Sequence, residues 1–584
     1  MWLITLVFAS LGTTLYAQIR PHPIFDNNMV LQRDKPVRVW GWSAPKEKVK
    51  IEFGGQVKSA VANKDGEWFT YLEPMSANVH PGDMKISGKD NSVLFTNVLV
   101  GDLWILGGQS NMEFDLARIF HGDTEVLSAN FSGIRLMTIP CSSNQKPRKD
   151  FERINEYDGW NGRYDKKGYW FNCSPETVKT FSGLGYIFGR RVYMVSQVPI
   201  GLIDVSWGGT TVEAWLSPKT LAEMPENNSL LKQWNDKVAA FNPDENLKAK
   251  IKNWEIRSAA RKKEGLEPQP KPTEPDPSPV LDRNFPGSSF NGMVAVIAGL
   301  TVKGIFFHHG YNNALGDSRP KLYALNFKAL IADWRETFAD KNLPFGIAEF
   351  SAGGEPQTLE NFEIRMVDAA APIREGQFKA FRDLQNVGFV CSYDQQVNWY
   401  HPQKKVEPGE RMARWALSTQ YGFDLKWEPA ICKSIERLKD KFIVTFSKEV
   451  KSSDDRPLDG FSIAGSDRHF FPAKAAYVKT KNEKGQPVDD KKRIEVWNNL
   501  TVNPLELRYA WARNPLGNLV NADDRIIPVP LFRTDNWDYP EAPYLPEEYE
   551  VHRKNLKTLQ KQAEEWAHLR IVSEAEQLLK ENQK

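Results

Sequence analysis

A serine that follows two glycines at the end of an apolar run is the first feature of this chain that could do chemistry. Leu103 to Leu106 has the length and composition of a buried strand. Gly107 and Gly108 permit a sharp turn with unusual backbone angles. Met112, Phe114, Leu116 and Ile119 then recur at a spacing that suits a helix. Ser110 is therefore expected where a strand turns into a helix, with its hydroxyl exposed and the unbonded N–H groups of the first helical turn beside it. That is a good place for a nucleophile whose product is an oxyanion. The alternative for Ser110 is a helix cap.

Acyl transfer through serine also needs a base, a group that orients the base, and donors for the oxyanion. The chain has nine histidines. His22 and His80 fall in an N-terminal β-rich region, His469 in a C-terminal one, and His552 and His568 in the tail; His121 follows the Ser110 helix. His308, His309 and His401 remain for the strand ends of the central region. No spaced carboxylate partner accompanies His308 and His309, so no metal site is expected there.

Gly108-Gln109-Ser110-Asn111-Met112 resembles the first block of the SGNH-type hydrolases, in the branch that contains sialate O-acetylesterases and related carbohydrate acetylesterases. The resemblance runs from about Ile24 to Asp535. It implies that Trp207-Gly208-Gly209-Thr210-Thr211 is the second block, with the Gly209 N–H in the oxyanion hole and Gly208 close behind as the alternative. His308-His309-Gly310-Tyr311-Asn312-Asn313 is similar to the third block, usually Gln-Gly-Glu-Ser-Asn. Gly310 and Asn313 match it, which implies an oxyanion-binding amide at Asn313. Gln109, Gly208, Gly310 and Tyr311 are then the expected substrate contacts. Asn398-Trp399-Tyr400-His401-Pro402 resembles the last block and implies His401 as the base. The family places an aspartate two or three residues before that histidine, where this chain has Asn398 and Trp399. The reading is a Ser110–His401 dyad oriented by Asn398. The alternatives are a carboxylate recruited from Asp394 and an inactive site.

The elements that must hold these residues follow from periodicity. Residues 18–98 alternate as strands with hairpin turns at Gly54-Gly55 and Asp65-Gly66, a small β-sandwich. Residues 99–425 alternate strands with helices, so a parallel sheet covered by helices on both faces is expected, with the site at the carboxyl ends of its strands. A charged, proline-rich insertion at 218–288 interrupts the pattern. Residues 426–540 return to β character, and 541–584 read as a charged helical tail. The fold class is thus α/β: an SGNH-type sheet with an N-terminal and a C-terminal β domain.

The 584 residues exceed one core and predict several domains. With 76 basic against 74 acidic residues, no nucleic-acid partner is expected. Met1 to Ala17 is apolar and ends in Leu15-Tyr16-Ala17, the pattern of a secretory signal, so a secreted or periplasmic protein without a membrane span is expected. The four cysteines lack metal-type spacing, and their pairing is open. The function implied by the resemblance is removal of O-acetyl groups from sugars, with sialic acid favoured and no cofactor. Acetylated xylan or pectin fragments are alternative substrates. A carbohydrate-binding protein that kept the fold and lost turnover is the rival.

Overall fold

The computed structural model describes residues 18–158, 163–316, 318–501, 503–537, 550–551 and 553–565. The apolar Met1–Ala17 stretch lies outside them, as does most of the expected tail.

The strand Ser92–Gly108 organises the molecule. Its 17 residues pass without a break through two structural regions. The first part pairs antiparallel with Asn78–Ser87 and parallel with Val30–Gln32 of the N-terminal β region. The second part, from Asp102, lies in the middle of the central sheet. The N-terminal region and the central sheet therefore share a strand at the place where a change of domain is expected, near residue 98. No linker separates them.

Across the central sheet the strands run in the order Phe171–Cys173, Phe131–Thr138, Ile200–Ser206, Ser92–Gly108, Gly304–His308, Phe345–Ala348, Val387–Val390. All neighbours in this row are parallel except the edge strand Phe171–Cys173. The chain builds one side of Ser92–Gly108 first and crosses to the other side afterwards. The carboxyl end of that strand is thus a topological switch point, where loops diverge and leave a crevice.

Side chains alternate between two covered faces, as a pleated sheet requires. Trp104, Leu106, Leu202 and Phe306 pack under the helices Gly183–Ser196 and Val406–Tyr421, where Trp104 meets Phe188 and Trp415 edge-on. Ile105, Ile203, Ile305 and Phe307 face the other way, onto the helix Pro320–Thr337, where Phe307 meets Trp334 edge-on at 5.4 Å. The C-terminal β region is fastened to this body by Arg374, fully buried, which donates to the Ala512 and Arg513 carbonyls at 2.6 and 2.7 Å. In the tail, Ala563 is buried and lines a cavity with Trp537 and His469. The insertion carries the helices Pro218–Glu223, Asn228–Ala240 and Pro243–Lys263, and Arg283 then returns to the crevice. Cys141, Cys173, Cys391 and Cys432 are all free thiols.

Candidate active site

Ser110 is the first residue of the short helix Ser110–Glu113, which begins two residues after the central strand ends. The N-cap position belongs to Gln109, and no side chain caps the helix. Ser110 is therefore free of the capping role that was its alternative. The turn needs glycine at 108: φ is +136°, and a Cβ there would lie 2.1 Å from the His308 carbonyl oxygen. That close approach brings the ends of the two central strands together. Gln109, buried beneath the turn, accepts hydrogen bonds from the Gly310 and Tyr311 N–H groups at 3.0 and 3.1 Å. Gln109 thus ties the first block to the third.

Ser110, Gln109, Glu113, Trp207, Gly208, Gly209, Arg283, Tyr311, Asn312, Leu315, Tyr400 and His401 line one open cleft of about 570 Å³ at the switch point. That size suits a small ligand.

Of the three histidines at the strand ends, only His401 lines this cleft. His308 bonds the Ala348 carbonyl through Nδ1 and Ser351 Oγ through Nε2, and burial pulls its pKa down to about 3. His309 stacks between Phe307 and Tyr323 and is likewise lowered to about 3 by burial. Both are neutral structural residues. No group of histidine, cysteine or carboxylate side chains among the described residues could hold a metal ion.

His401 sits on the loop between Val387–Val390 and Val406–Tyr421, stacked 5.9 Å from Phe114 and edged by Trp399 and Tyr400. Its pKa is lowered to about 4, first by burial and then by the charges of Lys405 and Arg118. Neither upstream candidate, Asn398 or Asp394, is bonded to it. Asn398 is exposed, and its side chain makes no hydrogen bond to a described residue. Asp394 forms a two-pronged pair with Arg411, at 2.9 and 2.5 Å, and Arg411 is 95% buried. The carboxylate is occupied in holding that guanidinium.

The residues expected as oxyanion donors do not all line the cleft. Asn313 points away from the cleft: its amide nitrogen donates to Glu213 and its oxygen accepts from the Val212 N–H at 2.9 Å. The neighbouring Asn312 lines the cleft instead. Its amide donates to the Gly209 carbonyl at 2.8 Å, which leaves a second amide hydrogen for a ligand. Of the two glycines, Gly208 has its N–H taken by Glu113 Oε2 at 2.7 Å. The Gly209 N–H makes no hydrogen bond to a described residue. Gly310 lies under the cleft, against Ile373 and Phe350, and is a packing position rather than a substrate contact. Tyr311 does face the cleft, stacked on Phe350 at 5.1 Å with the Arg513 guanidinium over its ring.

Sequence reasoning missed Glu113, Arg283, Asn284 and Lys405. Glu113 stands three residues after Ser110 and was within reach of a helical-spacing argument. Arg283 and Asn284 arrive from a proline-rich insertion, and Lys405 follows a loop, so nothing local marks them.

A parallel sheet covered on both faces, with a serine on the turn after its central strand and a histidine lining the same cleft, is an α/β arrangement compatible with hydrolase chemistry. Comparison with known proteins agrees. No family model matches the chain. It is similar to the sialate O-acetylesterases of Homo sapiens, 24% identical over 78% of this chain and 82% of that protein, and of Mus musculus, 26% identical over 81% and 87%. Among solved structures it is similar to a carbohydrate acetylesterase from Xanthomonas citri, with a TM-score of 0.70 and 25% identity over 89% of this chain and all of that one. These likenesses support carboxylic ester hydrolase activity. No described helix is long and apolar enough to cross a membrane.

Proposed function

We propose that the protein is a carbohydrate O-acetylesterase that works through a serine nucleophile, with O-acetylated sialic acid as its favoured substrate. The observation that carries this reading is the meeting of Ser110, His401, Gly209 and Asn312 on one cleft from four separate loops. Ser110 Oγ attacks the acetyl carbonyl while His401 takes its proton. The oxyanion is received by the N–H groups of Ser110 and Gly209 and by the Asn312 amide. His401 returns the proton to the departing sugar oxygen. It then deprotonates a water that attacks the acyl-serine, and acetate leaves. Trp207, Tyr311 and Tyr400 give the cleft aromatic walls on which a sugar ring can stack. The apolar Met1–Ala17 stretch supports export of the protein.

The second reading, a sugar-binding protein without turnover, is favoured by one feature: the charges of Lys405 and Arg118 act on His401, while Asn398 is exposed and Asp394 is held by Arg411. Acetate release from O-acetylated sialic acid and from p-nitrophenyl acetate decides between them, with wild type beside Ser110→Ala. Release by wild type and its loss in Ser110→Ala is the expected result. Sugar binding with no release by either protein selects the binding reading.

A further inference from the structure

The two-glycine loop 208–209 is held in an unusual way. It carries four backbone polar groups, and side chains reach three of them from outside. Glu113 takes the Gly208 N–H at 2.7 Å. Arg283 Nη1 donates to the Gly208 carbonyl at 2.7 Å. Asn284 and Asn312 both donate to the Gly209 carbonyl, at 2.9 and 2.8 Å. The fourth group is the Gly209 N–H, which makes no hydrogen bond to a described residue, on a glycine that lines the cleft. Asn284 reaches further along the same strand of backbone, accepting from the Thr211 N–H at 2.7 Å.

We propose that Arg283 and Asn284, at the end of the 218–288 insertion, are positioning residues that fix the direction of the Gly209 N–H and so set the oxyanion hole. The proposal rests on the serine-esterase reading above. Its physical basis is the planarity of the peptide bond. The Gly208 carbonyl and the Gly209 N–H belong to one trans peptide and point in opposite directions. Wherever Arg283 pulls the carbonyl, the N–H is aimed the other way. Between two glycines, rotation of that peptide meets little steric resistance, and Gly209 already lies at φ +76°. Nothing in the loop itself would choose one orientation.

The clamp is itself held. The Arg283 guanidinium lies 5.2 Å from the Trp207 ring centroid. The Arg283 carbonyl accepts from Ser289 Oγ, and the Asn284 N–H donates to Asp282 Oδ1 at 2.8 Å. Arg283 is exposed, so its contact adds little to stability. Its effect falls on geometry at the reacting centre, where a misplaced donor costs as much as a missing one. The insertion is then part of the catalytic apparatus, although it brings no group that reacts.

An exposed arginine at a sugar cleft has an obvious competing role, the binding of a substrate carboxylate. A neutral and an acidic substrate separate the two. Arg283→Ala, Arg283→Lys and Asn284→Ala are compared with wild type on p-nitrophenyl acetate and on O-acetylated sialic acid, with thermal unfolding monitored. The clamp predicts that Arg283→Ala and Asn284→Ala lower kcat about 10- to 100-fold on both substrates, with KM within twofold. Arg283→Lys, which keeps one donor, recovers part of the loss. Labelling of Ser110 by a fluorophosphonate, whose phosphoryl oxygen needs the same hole, slows in step. A defect confined to KM for the acidic sugar overturns the clamp and makes Arg283 a substrate contact, and unchanged kcat in both alanine variants also overturns it. Should Asn284→Ala unfold, the exposed Arg283 position still gives the answer. If wild type neither hydrolyses nor is labelled, the serine reading itself falls; if wild type is active and the variants equal it, only the clamp falls.

Discussion

Lys405, fully buried, donates a 2.6 Å hydrogen bond to Asn111 Oδ1, and Asn111 in turn donates through Nδ2 to the Tyr400 carbonyl at 3.1 Å. One asparagine beside Ser110 thereby joins the helix of that serine to the loop of His401. The cation that completes the link also lies close enough to His401 to act on its charge. Burial pulls the Lys405 pKa down to about 7, so it is charged throughout the range in which His401 titrates.

The pH dependence of hydrolysis follows. His401 serves as base only when unprotonated, so kcat falls as the pH drops through its pKa. With that pKa lowered to about 4, the acid limb of the profile on p-nitrophenyl acetate should lie near pH 4 and leave activity flat above about pH 5.5. Lys405→Met removes one of the two cations and should move the limb upward, toward the ordinary histidine value. A limb already near pH 6.5 in wild type would show that burial and the two cations do not lower the imidazole pKa.

Asn312 and Asn313 should separate cleanly. Asn312→Ala removes the amide that faces the cleft and supports the Gly209 carbonyl, and kcat should drop about 10²-fold or more with KM little changed. Asn313→Ala leaves the Val212 N–H without its acceptor and Glu213 with only Asn326 as an amide donor. Its main effect should be a loss of about 1–3 kcal/mol in stability, read by denaturant unfolding. A larger kcat loss in Asn313→Ala than in Asn312→Ala would restore Asn313 to the oxyanion hole.

For the residues once expected to orient His401, the outcomes are again distinct. Asn398→Asp places a carboxylate on an exposed stretch and should change kcat less than twofold. Asp394→Ala strips the buried Arg411 of its counter-charge and should cost about 3 kcal/mol. Activity measured at a temperature where the variant stays folded should be close to wild type. A rise of tenfold or more in Asn398→Asp would instead show that the loop swings to present residue 398 to the imidazole.

The sequence by itself determined the α/β alternation, the strand-to-turn-to-helix setting of Ser110 and the order of the blocks along the chain. The first two rest on local periodicity and on glycines at turns, which any window of ten to fifteen residues displays, and the third rests on the resemblance. His401 stood out only because resemblance singled it out from His308 and His309. The tertiary structure decided between them physically, by burying two in the core and leaving one on the cleft. It also decided which of two adjacent asparagines lines the cleft. Adjacent residues in a tight turn point in different directions, and Glu213, a hundred residues away, claims one of them. At residue 98 the change of side-chain pattern marks where neighbours change, while the strand Ser92–Gly108 continues through it. Arg283, Asn284 and Lys405 carry no local signal at all. Their contacts to Gly208, Gly209 and Asn111 span from about 75 to almost 300 positions. Such pairings are chosen by the packing of the finished sheet and loops, and only there does an insertion of prolines and charges meet the turn it holds in place.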